Sequence, residues 1–187
     1  ATEYGGIRVT LLGDLAGARI PIQADIGFGD AVTPEPEQIE YPTLLEYPAP
    51  RLRAYPQETV IAEKYQALVN LGIINSRMKD FYDLYIMAHQ FNFDGLTLSE
   101  AIGNTFARRQ TPLPTRTPTG LDSTFYRDKQ KNLQWGAFLG KGILLSTPPS
   151  LEEVCHLLEI FLMPATQALK NNQPFSGRWQ PGGPWER

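Results

Sequence analysis

The chain has 187 residues, with 17 Lys and Arg against 20 Asp and Glu for a formal net charge of −3, and is 42% hydrophobic and 20% charged. That length suits one domain or slightly more, and the composition can bury a core, which excludes a disordered chain or a fibre; the acidic balance excludes the overall basic field of a non-specific nucleic-acid binder, so any RNA contact is local. A single cysteine, Cys155, excludes an internal disulfide framework and a cysteine-rich zinc site, no apolar run approaches the roughly 20 residues that cross a bilayer, and a start of Ala-Thr-Glu without a signal-peptide pattern makes the cytoplasm the expected location.

Residues 7–29 read as a β-hairpin. Residues 7–12 are rich in strand formers, Gly13 to Gly17 supply turn chemistry, and a second strand follows in which Ile20, Ile22, Ala24, Ile26 and Phe28 share one face while Gln23 and Asp25 project from the other. Pro34, Pro36, Pro42, Pro48, Pro50 and Pro56 mark an extended connector, with one short strand expected at 43–47. A helix is expected over 57–71, started after Pro56 and ended by Gly72. A second is expected over 77–89, and a third over 98–109, opened by a capping box of Thr97 and Glu100. Residues 110–120, rich in Pro and Thr, form a linker, and 123–139 read as one amphipathic segment. A last helix starts at Ser150 with a capping box to Glu153, and carries Leu151, Val154, Leu158, Phe161 and Leu162 at helical spacing. From Gln173 the tail reads as irregular, its tryptophans docking on the chain's own domain. The fold class is therefore α+β, a small antiparallel sheet followed by a helical bundle. Its expected divisions are 1–55 (sheet and connector), 56–110 (helical core) and 111–187 (linker and C-terminal helical region).

Three features carry possible chemistry. On the first helix Lys64 has Val60, Ile61, Leu68 and Leu71 at i−4, i−3, i+4 and i+7, which sets an ammonium in the apolar stripe: either a lysine snorkelling or paired with a carboxylate, or a phosphate ligand at a cleft edge. Asp80 and Asp83 are i, i+3 neighbours near a helix start, with Arg77 just before; they complement the helix dipole or serve a site. Asp25 is either a solvated strand residue or a carboxylate aimed at a metal, which one carboxylate cannot hold without companions. Cys155 lies inside an apolar helical pattern and reads as core, and Gly27-Phe28-Gly29 lacks the third glycine of a dinucleotide loop.

The segments Pro56-Gln-Glu-Thr-Val-Ile-Ala-Glu63-Lys64-Tyr-Gln-Ala-Leu68 and Asn75-Ser-Arg77-Met-Lys-Asp80-Phe-Tyr-Asp83-Leu84, preceded by Asp25 in Ile22-Gln-Ala-Asp25-Ile26, resemble the nucleotidyltransferase toxins of the AbiEii/AbiGii family over about residues 18–110. That resemblance implies a fold related to the polymerase-β superfamily, a nucleoside triphosphate bound with Mg²⁺, a cognate antitoxin within a toxin–antitoxin or abortive-infection system, and a tRNA acceptor in several relatives. It implies that Asp25 is the third acidic, metal-binding position, Lys64 the triphosphate-holding lysine and Asp80 the motif aspartate, with Glu63, Arg77 and Asp83 in support. Lys64 and Asp80 are then expected to face one concavity on the side from which Asp25 projects.

The family's first motif, a Gly-Ser turn and a strand with two metal-binding aspartates, has no counterpart before Asp25. The chain is accordingly expected to be the C-terminal part of such a toxin, to bind triphosphate weakly and to transfer nothing as it stands. It is also expected to expose a hairpin edge or apolar patch through which it self-associates. The alternative is a non-catalytic module, derived from that fold, that binds the antitoxin or RNA.

Overall fold

The computed structural model describes residues 6–141, 144 and 149–186. They form two compact units, one up to Asp30 and one from Ala31 onward.

The first unit is a two-stranded antiparallel hairpin of β1 (Gly6–Leu15) and β2 (Ala18–Gly27). Ala16 and Gly17, at φ 50° and 85°, make the two-residue turn, the conformation whose twist suits a hairpin. Asp14 Oδ1 accepts the Gly17 N–H at 3.1 Å. The register then sorts the side chains by face. Ile7 lies opposite Ile26, Val9 opposite Ala24, Leu11 opposite Ile22, Gly13 opposite Ile20 and Leu15 opposite Ala18, so one face holds only apolar residues and glycine. The other pairs Arg8 with Asp25, Thr10 with Gln23 and Asp14 with Arg19, with Leu12 beside Pro21.

In the second unit, β3 (Glu37–Glu40) and β4 (Arg51–Ala54) pair antiparallel. The strand expected at 43–47 is instead part of the loop between them. Pro42, Pro48 and Pro50 lack ladder donors, so pairing falls to the proline-free stretches on either side, and the Thr43 hydroxyl donates to the Leu45 and Tyr47 carbonyls.

Helix α1 (Gln57–Leu71) runs as its end signals predict, Gly72 closing it at φ 50° with its N–H on the Leu68 carbonyl. Helix α2 spans Met78–Gln90. Helix α3 (Gly95–Arg108) starts three residues before the expected position, and its cap is Asp94, whose Oδ1 accepts the Thr97 N–H at 2.9 Å and the Thr97 hydroxyl at 3.0 Å. Thr97 is therefore a first-turn residue, not the cap. Asp94 wins because Phe93–Asp94 is also the short strand β5, extended by its pairing with the tail just where the helix begins.

The segment expected as one amphipathic run over 123–139 is two helices, α4 (Ser123–Tyr126) and α5 (Lys129–Leu139), because Asp128 caps the second by accepting the Lys131 N–H at 2.9 Å. Helix α6 (Leu151–Lys170) opens with the Ser150–Glu153 capping box and packs on both α2 and α3, so helices before and after the linker share one core.

The tail is not irregular. Strands β6 (Arg178–Trp179) and β7 (Trp185–Glu186) add to β5, each too short to leave a period-2 signature. The docking of the tryptophans is as expected: Trp179, fully buried, donates Nε1–H to the Ala88 carbonyl at 2.7 Å, and Trp185 to the Phe161 carbonyl at 2.9 Å. The architecture is thus α+β, with small antiparallel sheets and six helices among the described residues. No helix among them is long and apolar enough to cross a membrane.

Candidate functional site

Lys64 sits midway along α1, flanked by the buried Ile61, Tyr65 and Leu68 of its own helix, and only 19% of its side chain is exposed. An ammonium so enclosed needs partners. The first two turns of the neighbouring α2 supply them: Asp80 Oδ1 lies 2.6 Å from Lys64 Nζ and Asp83 Oδ2 lies 2.8 Å away, the two carboxylates 16% and 19% exposed.

The carboxylates are themselves shared. Lys79 reaches both Asp83 oxygens at 2.9 and 2.7 Å, and Arg77 Nη1 stands 3.8 Å from Asp80 Oδ2. Arg77 is the residue before α2, fixed there by its N–H on Asn75 Oδ1 at 2.9 Å. The positive end of the α2 dipole favours Asp80 in the first turn. Three cations, Lys64, Arg77 and Lys79, therefore face two anions, leaving the cluster one positive charge in excess. Burial presses the Lys64 pKa down, but hydrogen bonds and charge from Asp80 and Asp83 outweigh it and hold the ammonium above the ordinary lysine value.

A shallow groove of about 360 Å³ opens beside the cluster at the start of α2, with Arg77, Lys79 and Lys141 on its walls and Gln134 and Phe138 of α5 on its other side. Lys141 and Gln134 carry no sequence pattern that announces them. Neither does buried Lys131, which donates to the Asn75 carbonyl at 2.9 Å and so ties α5 to the turn before α2.

The other residues singled out in the sequence have different neighbours. Glu63 turns away from Lys64 to pair with Arg109 at the end of α3, Oε2 to Nη2 at 2.5 Å. Asp25 belongs to the hairpin unit and is 57% exposed. There Arg8 grips it with Nε on Oδ1 at 2.6 Å and Nη2 on Oδ2 at 3.1 Å, and Gln23 Nε2 adds a bond at 3.2 Å. The Arg8 hydrogen bonds hold its carboxyl below the usual carboxylate range. Cys155 is core, as its apolar setting predicts, and burial pushes its thiol up to about 12, out of nucleophilic use.

The donor set does not suit Mg²⁺. Each of the four oxygens of Asp80 and Asp83 already faces a lysine or arginine nitrogen, and no group of three His, Cys, Asp or Glu side chains that could hold a metal ion occurs among the described residues.

The sequence model of the family described as nucleotidyl transferase AbiEii toxin, type IV TA system, matches residues 1–157. No curated protein and no solved structure gives a significant match.

Proposed function

Because the chain belongs to the AbiEii family of nucleotidyl transferase toxins from type IV toxin–antitoxin systems, which implies a cognate antitoxin as partner, we propose that the Lys64–Asp80–Asp83 cluster is its triphosphate-handling centre. In this reading a nucleoside triphosphate is the donor and an RNA hydroxyl, at a tRNA acceptor end, is the acceptor. The hydroxyl oxygen bonds to the α-phosphorus as the bond to pyrophosphate breaks, and the hydroxyl proton passes to water.

The observation that carries the reading is a lysine kept charged and mostly buried between two carboxylates that have other cations to turn to. When a phosphate approaches, Lys64 exchanges a carboxylate for a phosphate oxygen, and Arg77 and Lys79 remain to neutralise Asp80 and Asp83. The excess positive charge and the basic groove wall attract a ligand bearing about four negative charges.

A second reading, a non-catalytic module that binds the antitoxin or RNA, is favoured by the engagement of every Asp80 and Asp83 oxygen with a cation, which leaves no carboxylate pair for a metal. The two readings separate in one experiment. Titration calorimetry with ATP and GTP should show weak binding that falls about 10- to 100-fold in Lys64→Ala, the effect of one charge-assisted hydrogen bond. Transfer of label from α-³²P-NTPs to total tRNA then distinguishes enzyme from binding module. Unchanged triphosphate affinity in Lys64→Ala overturns the triphosphate-handling reading and leaves the binding module.

A further inference from the structure

We propose that the apolar face of the β1–β2 hairpin is an interface between two copies of this chain. A two-stranded hairpin is marginal in water unless its apolar face is packed. Among the described residues this one forms a compact unit of two strands, and its face is open: Ile7 and Leu11 are each 56% exposed, Leu15 67% and Ile22 50%. Solvent-facing aliphatics over the whole length of a strand pair mark a surface that meets another surface.

A second copy fits for two reasons. The first is charge. In a two-fold pair each position of the face meets the same face of the partner, so a charged residue there would be buried against a like charge or against hydrocarbon. No position on this face is charged or polar, whereas Arg8, Asp14, Arg19, Gln23 and Asp25 all lie on the opposite one. The second is area. Two ten-residue strands side by side present a surface roughly 34 Å long and, with side-chain overhang, about 15 Å wide, hence about 500 Å² per copy and about 1,000 Å² in a symmetric pair. That is the threshold for a specific interface and suits a weak dimer, packed as two aligned layers rather than joined at a strand edge.

Sedimentation velocity of the 187-residue chain between about 1 and 300 µM is the test. The mass should rise from the 21.0 kDa monomer toward twice that value. High salt should not weaken the association, because burial of apolar surface is not screened. Leu11→Lys/Ile22→Glu puts an opposite-charge pair on the apolar face at directly paired positions, so the hairpin keeps a cross-strand ion pair while the interface gains buried charge; this variant should remain monomeric at 300 µM. Thr10→Lys/Gln23→Glu puts the same pair on the polar face and should associate like the parent.

A parent chain monomeric throughout refutes the proposal, as does equal association of both variants. Loss of association in both variants also refutes it, since that reports loss of the hairpin rather than of a face. A monomer whose hairpin amides gain exchange protection only when another protein is added assigns the face to that partner and excludes the second copy.

Discussion

Replacing Lys64 by Met keeps an apolar stem of similar length and removes only the ammonium, which makes it a clean probe of the cluster. Asp83 retains Lys79 at 2.7 Å, but Asp80, 16% exposed, is left with Arg77 at 3.8 Å. Removing one partner of a fully buried ion pair costs about 3–5 kcal/mol and of an exposed pair about 0–1 kcal/mol. With one carboxylate rescued and the other mostly buried, the expected loss is about 2 kcal/mol, or about 4–8 °C in Tm for a unit of this size.

Urea unfolding followed by fluorescence reports on the unit directly, because buried Trp179 belongs to it. The loss should largely disappear in Lys64→Met/Asp80→Asn, where the stranded charge is gone. The pH dependence has a definite sign. The folded Lys64 pKa lies above the ordinary 10.5, so the stabilisation is complete at neutral pH and is lost as pH climbs beyond 10.5 through the raised value; parent and variant should therefore converge in strong alkali. A Lys64→Met variant within 0.5 kcal/mol (about the scatter of ordinary surface substitutions) of the parent at pH 7 would show that the cluster is not coupled as described.

Two further outcomes follow from the local structure. Asp94→Ala should cost about 1 kcal/mol in urea unfolding as a lost helix cap, and Thr97→Ala clearly less; the reverse order would return the start of α3 to Thr97. Cys155 should resist thiol reagents in native protein at pH 8 and react fully in 6 M guanidinium, because burial holds its thiol near 12; rapid native labelling would contradict the packing of α6.

How much of this was legible in the sequence depends on whether a signal is local. Pro56 and Gly72 fix α1 within its own stretch of chain, and with the helix fixed, Lys64 among Val60, Ile61 and Leu68 stands out as an ammonium in the wrong place. Its carboxylate partners were visible as an i, i+3 pair, but that they meet Lys64 depends on the packing of α2 against α1, which spacing within one helix does not encode. Arg8 opposite Asp25 follows from a two-residue turn at Ala16-Gly17, a register readable only once the turn is known. Asp94 and Thr97 are both good caps three residues apart, and the choice between them is made by a strand partner more than 80 residues away, Arg178. The same long-range pairing creates the tail strands, whose two-residue length leaves no pattern. Gln134 and Lys141 join the groove through α5 packing alone.

The pairing of β5 with β6 also has a bearing on when the protein becomes finished. Gly95, the first residue of α3, donates its N–H to the Gly177 carbonyl at 2.8 Å, and a Cβ there would stand 2.5 Å from the Phe175 carbonyl, so the chain around 175–179 is built into the start of that helix. Ala88 of α2 likewise waits for Trp179. At about 5–20 residues per second, a ribosome that has just made Gly95 needs roughly 5–20 s more to reach Glu186. Throughout that interval α1 and α2 are present as sequence, with Lys64, Asp80 and Asp83 already translated, but without the segment that closes their core.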